Sequence, residues 1–401
     1  MRHRSQAPSV KRSSSARFPS AVLGVAFALG FASTGCRQIL GVDKFNLDED
    51  AGSGCSSPGY PARPAVSETP GDQEFVVKLL TDSYGDKPGR PYGNLGLNLD
   101  LSCTVAGGPT TCKEPYWADQ DHTDGPRGVD NASSQLIQAQ DQSNTLLASD
   151  TLSESSGARA YLVRVRGYNG LINDDAVTVS FFAASTSTHA TDAGGGGDAG
   201  NAGDASDAVW NVGSAWVNDG SLDSPKYADA RAYVASGVLV AHFDPLLLGF
   251  PFGGYVALRQ AVLKADVVVA SNGARELQHA VLAARWPLGS ILLFASMAYP
   301  KAAFDGADPH AVPVESGYWG WLDNVCRYTD TRVEGNDPDL PCDGLSFGQA
   351  LHGVPAVMGA VYPGKDDSPH QPIFDSPSTL CEFVSTVEGG STSFDASSQA
   401  R

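Results

Sequence analysis

From residue 74 onward the chain is patterned mostly in twos. Over 95–103, Leu95, Leu97, Leu99, Leu101 and Cys103 alternate with Asn98, Asp100 and Ser102, and 158–166, 176–182 and 229–243 read as further extended runs. Successive side chains of a strand point to opposite faces, so this spacing predicts half-buried strands. The segments 74–80 and 208–217 add two more, and the stretch 167–175, with its Asn, Gly and Asp residues, supplies a hairpin turn. Several short strands with turn signals between them predict a mainly β body, an antiparallel β-sandwich of jelly-roll or lectin-like type, in two halves over 74–184 and 209–286.

Two regions depart from period two. Residues 133–147 lack β-branched side chains apart from Ile137 and Thr145 and predict a helix, capped by Asn131 or Ser133. After Pro287, the segments 288–298, 318–328 and 346–358 space their apolar residues as helices do, although Gly and Pro interrupt each. They predict a helical C-terminal cap over 287–388, which makes the whole α+β. One internal echo stands out: 258–265 recurs at 277–284 with five identities in eight positions, as two similar strands or short helices flanking the turn at 271–275. Two copies are too few for a solenoid, which leaves packing, or a duplicated binding face.

The first 35 residues carry a basic leader (Arg2, Arg4, Lys11, Arg12, Arg17) and an apolar run over 21–32. Crossing a bilayer takes about 20 apolar residues, so the run predicts a secretory signal peptide. Ser33, Thr34, Gly35 and Cys36 resemble a bacterial lipobox, with Cys36 as the residue to be lipidated, although Ser33 stands where Leu is usual. An ordinary signal peptide cut near Ala32, Ser33 and Thr34, with Cys36 in a disulfide, is the alternative. The seven cysteines favour the lipid, because an odd count leaves one thiol over. Cys103 with Cys112, Cys326 with Cys342, and by elimination Cys55 with Cys381 are the expected bridges. Composition further predicts a disordered tether over 36–73, a disordered Gly/Ala/Asp segment over 185–208, read as a loop rather than a domain linker, and a disordered tail over 389–401.

A net charge of −18 argues against nucleic acid as a partner. With 42% hydrophobic and 18% charged residues, the chain can bury a sizeable core. Gly344, Ser346 and Gly348 fit the Gly-x-Ser-x-Gly pattern of serine hydrolases, but the preceding segment is a loop where that elbow needs a buried strand, so a serine at a helix start is the plainer reading of Ser346. Asp119, Asp121, Asp124 and Asp130, with Asn131, put hard oxygen donors on one loop, the chemistry Ca²⁺ selects. Their spacing departs from the EF-hand rule, and the alternative is a turn whose Asp side chains bond their own backbone. Trp319 and Trp321 invite a sugar-stacking reading beside one of core packing.

The lipobox-like leader, the Asp/Gly/Ala-rich linker and the segments around Asn98, Asp124 to Asn131, Arg164 to Gly170 and Ala280 to Trp286 together resemble uncharacterised secreted bacterial lipoproteins. That resemblance implies export and a membrane anchor at Cys36, at the outer membrane or cell surface, and implies no activity. The expected function is a binding or structural role in the cell envelope, with calcium, carbohydrate or an envelope protein as candidate ligands. An exported serine hydrolase using Ser346 is the alternative.

Overall fold

The computed structural model describes residues 55, 57–65, 71–83, 95–105, 110–113, 124–125, 127–134, 136, 160–186, 209–249, 255–291, 325–362 and 381. All belong to the unit Ala51–Arg401. In chain order the strands are β1 (Gln73–Ser83), β2 (Cys112–Lys113), β3 (Ala160–Tyr168), β4 (Asp174–Thr186), β5 (Val209–Gly213), β6 (Val217–Asn218), β7 (Ser221–Pro225) and β8 (Tyr227–Ala235). There follow β9 (Val238–Phe243), β10 (Leu246–Gly249), β11 (Tyr255–Val269), β12 (Arg275–Pro287), β13 (Asp337–Pro341), β14 (Gly344–Pro355) and β15 (Val357–Tyr362).

Eight of these strands close on themselves. β4, β3, β1, β14, β12, β11, β9 and β8 are antiparallel neighbours in that order, and β8 returns to pair with β4. The body is therefore a closed antiparallel β-barrel, and the expected sandwich is overturned. Alternation cannot separate the two, since either architecture turns every second residue inward. Closure depends on bend and twist, and register slips occur in the pairings of β1 with β3 and β14, of β12 with β11 and β14, and of β4 with β8. Each such bulge sharpens the local twist. Beyond the barrel, β5 continues from β4, and β15 lies parallel to β5. The strands on either side of 185–208 are thus neighbours in one sheet.

The interior is filled by side chains. Val77, Val163 and Phe181 are cross-strand partners on one face, and Ala241, Leu263 and Leu282 are so linked on the far side; all are buried. Eight strands enclose just enough room for such a core. Glu74, Arg164 and Arg166 lie on the opposite face, where Arg164 pairs with Glu74 and Arg166 with Asp223. Apolar inside and charged outside is the reverse of a lipid-facing barrel.

The internal echo occupies β11 and β12, which pair with each other. Its third position is Gln260 in one copy and His279 in the other, and these have φ of 49° and 48°. The register slips at both places. Leu258 and Ala261, like Leu277 and Ala280, are three apart in sequence, yet all four are buried in the main core. The bulge restores the inward phase that odd spacing would break, so the repeated sequence encodes a repeated bulge.

The expected helical cap is also overturned. Among the described residues, helix after Pro287 is confined to 288–291, 325–327 and Cys381. The segment 346–358 instead forms most of β14 and the start of β15. Its alternation is of size rather than polarity: Leu345, Phe347 and Leu351 enter the core, while Gly344, Ser346, Gly348 and Ala350 face outward and are buried as well. A strand covered on both faces loses the polar half of its pattern. Of the helix expected over 133–147, residues 133, 134 and 136 are helical and the remainder lies outside the described residues. The tether expected over 36–73 is partly structured: Tyr60 packs against the apolar cluster that contains Leu97, Tyr233 and Val240, and Lys264 Nζ donates to the Gly59 carbonyl at 2.9 Å.

Candidate functional site

Over the outer face of β12 and β14 lies a layer built from 95–105, 110–113, 124–125, 127–134 and 325–343, with little ladder hydrogen bonding of its own. A buried loop must satisfy its backbone by side chains, which explains which residues fill it. Asn98 donates to the carbonyls of Cys55 at 2.9 Å and Ser102 at 3.0 Å, and accepts from Ser102 N–H at 3.2 Å. Asp130 accepts from the amides of Leu99 at 2.7 Å and Asp100 at 3.3 Å. Asn131 bonds the barrel itself: it accepts from Gly348 N–H at 3.0 Å and donates to the Gly348 carbonyl at 3.2 Å. Gly348 leaves room for this, since a Cβ there would lie 2.0 Å from the Leu95 carbonyl oxygen.

Covalent ties fix the layer further. The bridges are Cys55–Cys103, Cys112–Cys342 and Cys326–Cys381. All six cysteines expected to pair do so, but each expected partner is wrong. Around Cys112–Cys342 the loop layer holds the partners together: Asp337 N–H donates to the Thr111 carbonyl at 2.9 Å and Cys342 N–H to the Lys113 carbonyl at 3.0 Å. The joined cysteines are 48, 230 and 55 residues apart, a tertiary fact invisible to local spacing.

Four carboxyl groups meet beneath the layer. Asp100 is buried and accepts from Thr111 Oγ1 at 2.8 Å and Ser102 N–H at 2.8 Å. Burial, then the Asp100, Asp330 and Asp124 charges, push the Asp130 carboxyl well above its ordinary range. Asp124 is raised to about 6, chiefly by burial and secondarily by the Asp100 charge, against hydrogen bonds from Thr104 N–H and with Asp130. Burial likewise raises Asp330 to about 7, against two hydrogen bonds from Ser346. The cation among them is Arg285, itself buried on β12. It donates to the carbonyls of Arg332 at 2.6 Å, Gly335 at 3.0 Å and Leu99 at 3.0 Å, and to Asn336 Oδ1 at 3.1 Å. All four acceptors are uncharged, and its Nε has no hydrogen-bond partner. Burial lowers its pKa against the pull of Asp100, Asp130, Asp330 and Asp343.

The residues singled out from sequence are only partly brought together. Ser346 is fully buried within β14, opposite Arg285, rather than on a strand-to-helix elbow. Its hydroxyl donates to Asp330 and accepts from Ala132 N–H at 2.7 Å, and its amide donates to Asp330 Oδ1 at 2.7 Å. Both functions of the hydroxyl are engaged in holding the layer to the wall, so neither the hydrolase pattern nor the helix-start reading fits Ser346. Asp124 and Asp130 do meet, while Asp119, Asp121, Cys36, Trp319 and Trp321 lie outside the described residues. No group of three or more His, Cys, Asp or Glu suited to a metal ion occurs among the described residues. Asp100, Asp330 and Arg285 were not legible as partners from the chain alone. Arg285 left one signal, a lone charge in the apolar run 280–288.

Comparison of the chain with protein-family models, with curated proteins and with solved structures gave no match.

Proposed function

We propose that this chain is an exported protein of the bacterial cell envelope, held at the membrane through lipidated Cys36, whose disulfide-tied barrel has a binding or structural role. The observation that supports this reading most is the cysteine pairing. Six of the seven cysteines form three bridges, which persist in oxidising compartments, and the one left over is the residue that follows the apolar leader. The resemblance to secreted bacterial lipoproteins points the same way. A binding role is favoured over hydrolysis because the Ser346 hydroxyl on β14 is occupied by bonds to the layer.

Metabolic labelling with a palmitate analogue tests the anchor. Wild-type protein should carry label and partition with membranes, and Cys36→Ala should lose both. Label that persists in Cys36→Ala would refute the assignment.

A further inference from the structure

The interface between the loop layer and the barrel wall is short of counter-charge. Asp100 and Asp130 are 8% and 5% exposed, and Asp124 and Asp330 lie beside them, against one buried guanidinium among the described residues, Arg285. Each carboxyl comes from the layer, whereas Arg285 comes from β12. The other charged groups on the surrounding elements do not close the gap. Asp343 adds a further acid, accepting from Val333 N–H at 2.6 Å. Arg259 on β11 pairs with Asp244 and reaches Glu334 only at 4.0 Å. Lys264 on β11 donates to the Gly59 carbonyl, Arg127 is exposed, and β14 contributes the uncharged Ser346. Arg332 Nε is buried without a hydrogen-bond partner.

Carboxylates packed this way repel one another, and removing the repulsion requires protons on some of them. We infer that the loop layer is a proton-dependent clamp: Asp124, Asp130 and Asp330, packed beside Asp100, hold 95–105 and 325–343 against β12 and β14 when they carry protons, and the layer loosens when they ionise. The sign follows from linkage. The affected carboxyls take up protons more readily in the folded protein than in the unfolded chain, so the closed state is favoured at low pH and weakened as pH rises toward and through about 6 to 7. The bridges Cys55–Cys103 and Cys112–Cys342 limit the motion, so the layer loosens without detaching. The inference is independent of the anchor at Cys36.

Hydrogen exchange on the full chain, disulfides intact and metal removed by chelator, tests it at pH 5 and pH 8. After correction for intrinsic exchange, protection of the Leu99, Asp100 and Ser346 amides should fall at least tenfold at pH 8, while protection of β11 amides such as Leu263 holds. Asp330→Asn should cut that fall to threefold or less. A ¹³C carboxyl titration of wild-type protein gives a reading free of any folding defect: at least two Asp carboxyls should titrate above pH 5.5. Uniform loss of protection in layer and barrel, unchanged layer protection, or all Asp carboxyls titrating below pH 5 would each overturn the clamp. Restoration of pH 8 protection by added calcium alone would overturn it in favour of a cation site.

Discussion

The barrel wall and the loop layer upon it obey different burial rules. In β11 and β12 the inward residues are Leu, Ala and Val with Trp286, and polarity is turned out. In 95–103 both kinds of side chain go inside: Asn98 and Asp100 are 2% and 8% exposed beside the buried Leu95 and Leu97, while Leu101 is 54% exposed. A strand satisfies its backbone in the ladder and can bury hydrocarbon alone. A covered loop has no ladder, so its amide and carboxylate side chains must turn inward to serve the main chain. Alternation of residue types therefore says that two faces differ, and where no ladder serves the main chain the polar side chains are buried along with the apolar ones.

Five substitutions sharpen that contrast, and urea unfolding reads each. Phe181→Ala in the barrel interior, where the side chain is fully buried, should cost about 3–5 kcal/mol, equally at pH 5 and pH 8. Arg285→Met should cost about 3 kcal/mol, because it orphans four acceptors and leaves the carboxyl cluster without its cation, and its cost should be greater at pH 8. A cost independent of pH would mean that Arg285 acts only as a hydrogen-bond staple. Gly348→Ala should cost about 1–3 kcal/mol, since the added Cβ meets the Leu95 carbonyl and Gly96 Cα at 2.0 and 2.8 Å and pushes the layer away. Smallest and opposite in sign, Gln260→Gly or His279→Gly should stabilise by up to about 1 kcal/mol, because both residues sit at φ near 50° in the paired bulges.

Much of the barrel wall was legible because its causes are local. The runs that became β1, β3, β4, β8 and β9 show apolar residues at strand spacing or in unbroken β-prone stretches, and the echo that became β11 and β12 carries its own bulge. Closure was not legible, since pairing of β4 with β8 joins residues far apart in the chain. β14 was misread as helix because its outward residues are small rather than polar, a consequence of the layer that covers them. In the layer, Asp124 and Asp130 were picked out together for their oxygen atoms. Asp330 and Arg285 join them only through the fold, as do all three disulfide partnerships. Local periodicity reports on ladders, and the layer is held by contacts that have no period.

The pH dependence of global stability tests the contrast most directly. A carboxyl raised from 3.8 to about 7, as Asp330 is, favours the folded state at pH 4 over pH 8 by about 4 kcal/mol. Urea unfolding of wild-type protein between pH 4 and pH 8, with disulfides intact and chelator present, should show stability declining across that range and levelling above about pH 7. The decline should shrink in Asp330→Asn. Stability that rises over the same range, or a decline of equal size in Asp330→Asn, would contradict a layer held by buried, protonated carboxyl groups.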